Sequence, residues 1–497
     1  MKKSNLPIAI IGAGPIGLAA AAHLLKSNQK FILFEAEQSV GANILSWKHV
    51  KVFSPWEYNI DKISEELLVE NRIKIPNKKE VPFGKQLVNE YLKPLSKISE
   101  INQNLHLNTK VLSIGRKGLD KMKDANRENL PFSIQVNEKG HFRIYEAKAV
   151  IDASGTWQNP NPVGSGGVFA IGEKENSNHF FYGMPDVNGA LIKKYANKSV
   201  LVVGGGHSAI GTVLALNTVK EVYPQTQIHW LLRKKNVSDV YGGQEADGFK
   251  SRGELGISIE KLVDSGKIEI HTPVFIHQFD KVKDSLTVKG IKNNQEFVLE
   301  NIEEVVSNTG TRPDFGFLRE VRFDADASVE SVPKLAELID PNIHSCGTVR
   351  PHGEAELRQK EKDFYIVGMK SYGRAPTFLM ATGYEQIRSI VAYMNGDFEA
   401  ATDVQLELPE TGVCNSGLEG DSCCGGSGCD VPATNEDASC GTDCCSNEKL
   451  DKTSSCSSTT EKETEEDCCV QPTDNSPCCD KTQLEFVGFL KNKTVQN

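Results

Sequence analysis

Gly12-Ala13-Gly14-Pro15-Ile16-Gly17, with the apolar run Pro7 to Ile11 before it and the alanine-rich Leu18 to Leu25 after it, decides how this 497-residue chain folds. The spacing is G-x-G-x-x-G between a short buried strand and a helix. In that arrangement the first glycine permits the tight turn, the second lets backbone approach a diphosphate, and the third lets helix and strand pack closely. The anion then faces amides at the helix N-terminus. A second strand, Phe31-Ile32-Leu33-Phe34, ends in Glu35, 23 residues past Gly12. A carboxylate there accepts hydrogen bonds from ribose hydroxyls and repels a 2′-phosphate; the plainer alternative is an acid that merely ends an exposed strand. Met1-Lys2-Lys3 and the apolar stretch through Leu25 also have the outline of a secretory signal. Cleavage there would remove the glycine turn, and no other stretch approaches about 18 uninterrupted apolar residues. A cytoplasmic chain without a membrane span is therefore expected, with thiols kept mostly reduced.

The pattern recurs. Ser199 to Val203 reads as a strand, Gly204-Gly205-Gly206-His207-Ser208-Ala209 as the same turn in its G-x-G-x-x-A form, and Ile210 to Leu216 as the start of a helix. The next strand, Ile228 to Leu232, ends in Arg233-Lys234-Lys235 where the first unit offers Glu35. Cations in that place suit the extra phosphate of NADP, so NADPH is expected over NADH, unless the run is only a solvated basic turn. His207 lies where it could touch phosphate or cap the helix. Val150-Ile151-Asp152-Ala153-Ser154-Gly155-Thr156 and Val305-Val306-Ser307-Asn308-Thr309-Gly310-Thr311 are each a short strand with a glycine turn, late in the two units, where the chain would cross between domains.

These four motifs, in this order over roughly residues 6 to 400, resemble the two-dinucleotide-binding-domain flavoproteins, which include thioredoxin-reductase-like enzymes and flavin-containing monooxygenases. The resemblance implies an α/β protein of two Rossmann-like domains, with an NADPH domain inserted in an FAD domain. The expected boundaries are 1–165 and 340–405 for the FAD part, 190–335 for the NADPH part, and 410–497 for a disordered Cys-rich tail. It implies a cofactor site built from Gly12, Gly14, Pro15, Gly17, Glu35, Trp47, Gly155, Gly204, Gly206, His207, Ser208, Ala209, Arg233, Lys234, Gly310, Gly368 and Thr382. Tyr384 to Met394 is the expected closing helix, with Thr382 just ahead of it.

Dithiol-type relatives place a cysteine pair beside the flavin, whereas the first 409 residues hold only Cys346. That leaves oxygen chemistry, or the tail acting as the missing dithiol. The segment Gly41-Ala42-Asn43-Ile44-Leu45-Ser46-Trp47 and the following Ser54-Pro55-Trp56 are similar to what flavin-containing monooxygenases place by the flavin, although both tryptophans could simply cover core. The monooxygenase signature F-x-G-x-x-x-H is broken: Phe181-Tyr182-Gly183 is followed by Val187 where His should stand. The usual Gly-Asp pair for the ribityl chain is replaced by Gly368-Met369, leaving Lys370, Ser371 or Arg374 to supply polar contacts. Lys370 and Arg374 are candidates to stabilise a reduced flavin, or else ordinary surface charges. His49, His179, His207 and His352 form no recognisable acid–base constellation.

Twelve of the thirteen cysteines lie after residue 413, eight of them in the pairs Cys423-Cys424, Cys444-Cys445, Cys468-Cys469 and Cys478-Cys479. From Glu410 on, 17 acidic and 6 basic residues give a net of −11 against −10 for the whole chain, so the preceding 409 residues carry +1. A near-neutral body excludes nucleic acid as an expected partner, and the polar tail has too little apolar surface to offset its ordering entropy. Vicinal thiolates, with Cys429 in reach of the first pair, suit soft ions. Body and tail together resemble flavin-dependent oxidoreductases of bacterial arsenic resistance. The resemblance implies an enzyme using oxygen on a small molecule or a trivalent metalloid that the tail captures. Two alternatives stay open: a reductase passing electrons to a tail disulfide, with Cys478 and Cys479 nearest the apolar stub Leu484 to Leu490, and a metal-sequestering tail carried by a flavoprotein. Oligomeric state is not legible, since neither heptads nor an unexplained apolar stripe occurs.

Overall fold

The computed structural model describes residues 3–341, 352–376 and 378–406. Cys346 and every cysteine of the tail, with the expectations attached to them, lie outside the described residues.

Two five-stranded sheets form the body. In the first, the spatial order is Phe364–Ile366, Ala149–Asp152, Ile8–Ile11, Phe31–Phe34, Leu105–His106, and every neighbouring pair is parallel. In the second the order is Glu269–His271, Gln227–Leu231, Ser199–Val203, Glu304–Ser307, Phe180–Tyr182, again parallel throughout. A glycine-motif strand sits at the centre of each. Continuous apolar runs make such strands because both of their faces are covered: Ile8–Ile11 and Ser199–Val203 are buried along their whole length. The helices that follow them, Pro15–Lys26 and His207–Val222, pack back on their own sheets.

Each unit also carries a three-stranded antiparallel meander, Thr109–Arg116 with Phe132–Glu138 and His141–Ala147, and Phe275–Val282 with Ser285–Lys292 and Gln295–Ile302. In the second, the two-residue turn Asn293-Asn294 takes φ of 49° and 63°, the left-handed pair that a tight hairpin demands and that asparagine tolerates.

The return of the chain to the first sheet is fixed by a buried ion cluster. Glu361 takes Arg116 Nε at 2.7 Å and Arg127 Nη2 at 2.7 Å, and Arg322 donates its backbone N–H at 3.1 Å. Burial alone would raise this carboxyl's pKa, but the bonds from Arg127 and Arg116 outweigh it and hold the pKa below the usual value. Three residues later begins the strand Phe364–Ile366, which joins the open edge of Ala149–Asp152.

The closing helix differs from expectation: it runs Met380–Met394, so Thr382 lies within its first turn instead of ahead of it. Gly383, near the start of this helix, lies against Ile16 of the first glycine-turn helix. A Cβ there would fall 2.5 Å from Ile16 Cδ1 and 2.8 Å from Phe378 Cζ, so a larger residue would require those two side chains to move. None of the described helices is long and apolar enough to cross a membrane.

Candidate active site

The two glycine turns are built alike. Gly12 has φ +95°, and a Cβ on it would come within 2.8 Å of Ala153 O; Gly204 has φ +136°, with the corresponding contact 2.3 Å from Asn308 O. Each first glycine thus presses its unit against the turn that ends the neighbouring strand. Gly17 packs on Gly12, where a Cβ would sit 1.8 Å from the carbonyl oxygen; Ala209, fully buried, takes the equivalent place in the second turn. The middle glycines are the reverse: a Cβ on Gly14 or Gly206 meets no atom within 4 Å. Both occupy the N-cap of their helix and no side chain caps either one. Pro15, at the first helical position, has no N–H to leave unpaired.

A dinucleotide fits these cradles on physical grounds. The amides at two uncapped helix N-termini need an acceptor, the helix dipole favours an anion there, and the middle glycine leaves room for one. Glu35 stands beside the first cradle, accepting Ala13 N–H at 2.8 Å and Glu37 N–H at 3.0 Å. Burial raises its pKa, partly offset by the amides of Glu37 and Ala13. At the second cradle Arg233 is exposed, with Nη1 3.1 Å from Ser165 O, and Lys234 is half-buried, with Nζ 2.9 Å from Asp239 O.

Gly155, with φ +71°, extends the first cradle, and Gly368, with φ +68°, backs onto Ile16 at 3.1 Å. Thr382 is buried in the first turn of the closing helix. Lys370 is no surface charge: at 1% exposure its ammonium lies 2.7 Å from Asp152 Oδ2, 3.1 Å from Ser154 Oγ and 4.4 Å from the centre of the Phe317 ring. Burying an ammonium is tolerable only with such a partner, and Asp152, itself fully buried, supplies it. Arg374 is separate from this pair; its side chain is exposed.

The two units meet through their crossover segments. Asn161 N–H donates to Gly310 O at 2.9 Å, Arg312 N–H to Asn159 O at 3.0 Å, and the hydroxyls of Thr156 and Thr311 are 2.8 Å apart. Trp47 packs over Gly84 and stands 6.2 Å from Trp157, whereas Trp56 is buried core. His207, opening the second helix, meets Phe53 of the first unit edge-on at 5.2 Å. Burial, then Arg252, depress its pKa. Ser208 follows it half-buried on the same first turn.

A family model described as "Pyridine nucleotide-disulphide oxidoreductase" matches residues 9–347, a span that takes in both cradles and both crossovers. The chain belongs to this family. It is a flavin- and NAD(P)H-dependent oxidoreductase of the pyridine nucleotide-disulphide class. Among relatives, a ferredoxin–NADP reductase of Lactobacillus gasseri is 26% identical over 352 residues, covering 70% of this chain and 86% of its own length. A flavin-containing monooxygenase (FMO GS-OX-like 9) of Arabidopsis thaliana is 26% identical over 285 residues, covering 52% of this chain and 57% of its own. The bacillithiol disulfide reductase Bdr of Bacillus cereus shares the fold, with a TM-score of 0.57 at 20% identity, over 79% of this chain and 99% of that one.

In this family member, residues that sequence reasoning left without a role turn out to frame the site. Asp152 and Ser154 anchor Lys370, and Phe53 meets the second cradle. A signal for Asp152 was available, since an acid closing an apolar strand needs a partner; the identity of that partner, 218 residues away, was not.

Proposed function

We propose that this chain is an FAD-containing, NADPH-dependent oxidoreductase of the cytoplasm that acts as a monooxygenase on a small soft nucleophile, a trivalent arsenical being the favoured class. The observation that carries the reading is the pair of uncapped glycine cradles, one flanked by Glu35 and the other by Arg233 and Lys234, in a body whose sequence holds a single cysteine. Glu35 would accept the ribose hydroxyls of FAD, and Gly12, Gly14 and Gly17 would admit its diphosphate. Gly204, Gly206, His207 and Ser208 would hold NADPH, with Arg233 and Lys234 on its 2′-phosphate. Gly155, Gly310, Gly368 and Thr382 would complete the two sites, and Trp47 would wall the flavin pocket. When bound, FAD would supply the electron store between nicotinamide and oxygen.

Lys370 acts here as a positioning residue: its ammonium is held by Asp152, so it fixes Ser154 and the neighbouring Gly155 beside the first cradle instead of meeting a substrate. Phe53 and Trp157 bring apolar surface to the junction, which would limit water there once the cofactors are bound. For arsenite the reaction balances when arsenous acid, dioxygen, NADPH and a proton give arsenic acid, water and oxidised NADP. One oxygen atom enters the arsenical, the other leaves as water, and NADPH supplies the two electrons that this second atom needs. The tail thiolates of Cys423, Cys424, Cys429, Cys444, Cys445, Cys468, Cys469, Cys478 and Cys479 favour capture of the soft trivalent form and release of the hard pentavalent one.

The test is NADPH oxidation by the full chain with arsenite, in air and under argon, with arsenate quantified. The proposal expects consumption only in air and one arsenate per coupled NADPH. Consumption that ignores oxygen, with no oxygenated product, sinks it.

A further inference from the structure

In the second sheet the strands Gln227–Leu231 and Glu269–His271 lie side by side in parallel, with His229 opposite Glu269 and Leu231 opposite His271. Side chains alternate along a strand, so Glu269 and His271 project from one face, the face that His229 shares. His229 Nδ1 is consequently 3.3 Å from His271 Nε2 and 3.1 Å from Glu269 Oε2, and His271 Nε2 is 3.8 Å from the same oxygen. This is the one group of at least three potential ligands converging within 4.8 Å among the described residues.

The spacing is that of a coordination polyhedron. Metal–ligand distances of about 2.0–2.1 Å in a tetrahedron put donor atoms roughly 3.3 Å apart, and the three separations here scatter around that value. Hydrogen bonding accounts for the cluster less well. A single proton on His229 Nδ1 satisfies one of its two neighbours and leaves the other lone pair facing it. Access also fits: His229 is 5% exposed and the His271 side chain 15%, while the Glu269 side chain is 68% exposed, so the carboxylate stands at the solvent mouth of a half-buried pair of imidazoles.

We propose that His229, Glu269 and His271 bind one divalent transition-metal ion of borderline softness, such as zinc, with water in the remaining position. Imidazole and carboxylate select that class over magnesium or calcium, which demand more oxygen ligands. The ion would clip together two strands whose ends support the basic loop. Four residues beyond His229 comes Arg233, and the residue after His271 is Thr272, whose hydroxyl donates to the Lys234 carbonyl. The site is thus a structural brace beneath the loop and is distinct from the tail thiols. It stands whether or not the chain is an oxygenase.

The experiment uses the full chain, stripped with a chelator and with its thiols alkylated by N-ethylmaleimide so that cysteine ligands are silenced, titrated calorimetrically with zinc ion. One equivalent should bind, with a rise in melting temperature. Glu269→Gln, at an exposed position, should keep the metal-free melting temperature and weaken binding roughly tenfold or more, and His271→Gln should abolish it. Should His271→Gln fail to fold, Glu269→Gln decides alone. The proposal is overturned if the alkylated wild type binds no zinc, or if Glu269→Gln binds it with unchanged affinity.

Discussion

Gly14→Ala separates folding from cofactor capture. At this position φ is −79° and ψ −171°, extended backbone that alanine adopts without strain, and the added methyl meets no atom within 4 Å. Two small terms oppose each other: alanine is a poorer N-cap than glycine by several tenths of a kcal/mol, and it lowers the entropy of the unfolded chain by a comparable amount. The flavin-free variant should therefore unfold within about 0.5 kcal/mol of wild type. Binding is another matter, because the methyl projects where the diphosphate must approach the helix amides. Displacing one charge-assisted hydrogen bond costs about 1.5–3 kcal/mol, which is roughly a ten- to hundredfold loss of flavin affinity. The assay is flavin absorbance on reconstitution of the apoprotein, beside urea denaturation of the same apoprotein. Gly17→Ala is the contrasting control, since its Cβ would lie 1.8 Å from Gly12 O and the fold itself must give. If Gly14→Ala takes up flavin with wild-type affinity, the first cradle does not hold a diphosphate.

At the buried pair, Lys370→Met should destabilise by about 3–5 kcal/mol because Asp152 keeps its Ser154 hydrogen bonds but is left charged without a cation, and the double variant with Asp152→Asn should recover most of that loss in urea titrations; equal stability of the single variant would contradict the pairing. Arg233→Ala with Lys234→Ala should raise KM for NADPH roughly tenfold or more while leaving NADH unchanged, measured by steady-state kinetics with both nucleotides. Glu361 has its folded pKa held below the unfolded value of about 4.3, so the stability it contributes is present above that pH and lost as pH falls through the lower, folded value. Glu361→Gln should therefore be less stable than wild type at neutral pH, and the gap should narrow on acidification; a constant gap across the acid range would remove the ion cluster from the account.

Both nucleotide units were legible from local pattern alone, because strand, glycine turn and helix are contiguous and the turn-forming glycines have a steric reason. Gly12, Gly17 and Gly204 show those reasons directly. What escaped the sequence was whatever depends on distant chain segments. The Asp152–Lys370 pair closes across 218 positions, and the His229, Glu269 and His271 cluster exists only through the register of two parallel strands. The meanders were not foreseen, though Thr109–Arg116 alternates buried and exposed positions as a half-covered strand should. The closing helix begins at Met380, four residues before the expected Tyr384, and takes in Gly383 despite the low helix propensity of glycine.

The central claim is that one cradle holds flavin and the other delivers hydride to it from NADPH. An anaerobic titration of the purified full chain, followed by visible absorbance, tests this most directly. The account predicts a yellow protein whose flavin bands bleach with about one equivalent of NADPH per flavin and more slowly with NADH. A colourless preparation that takes up no FAD, or a bound flavin that neither nucleotide reduces, would contradict it.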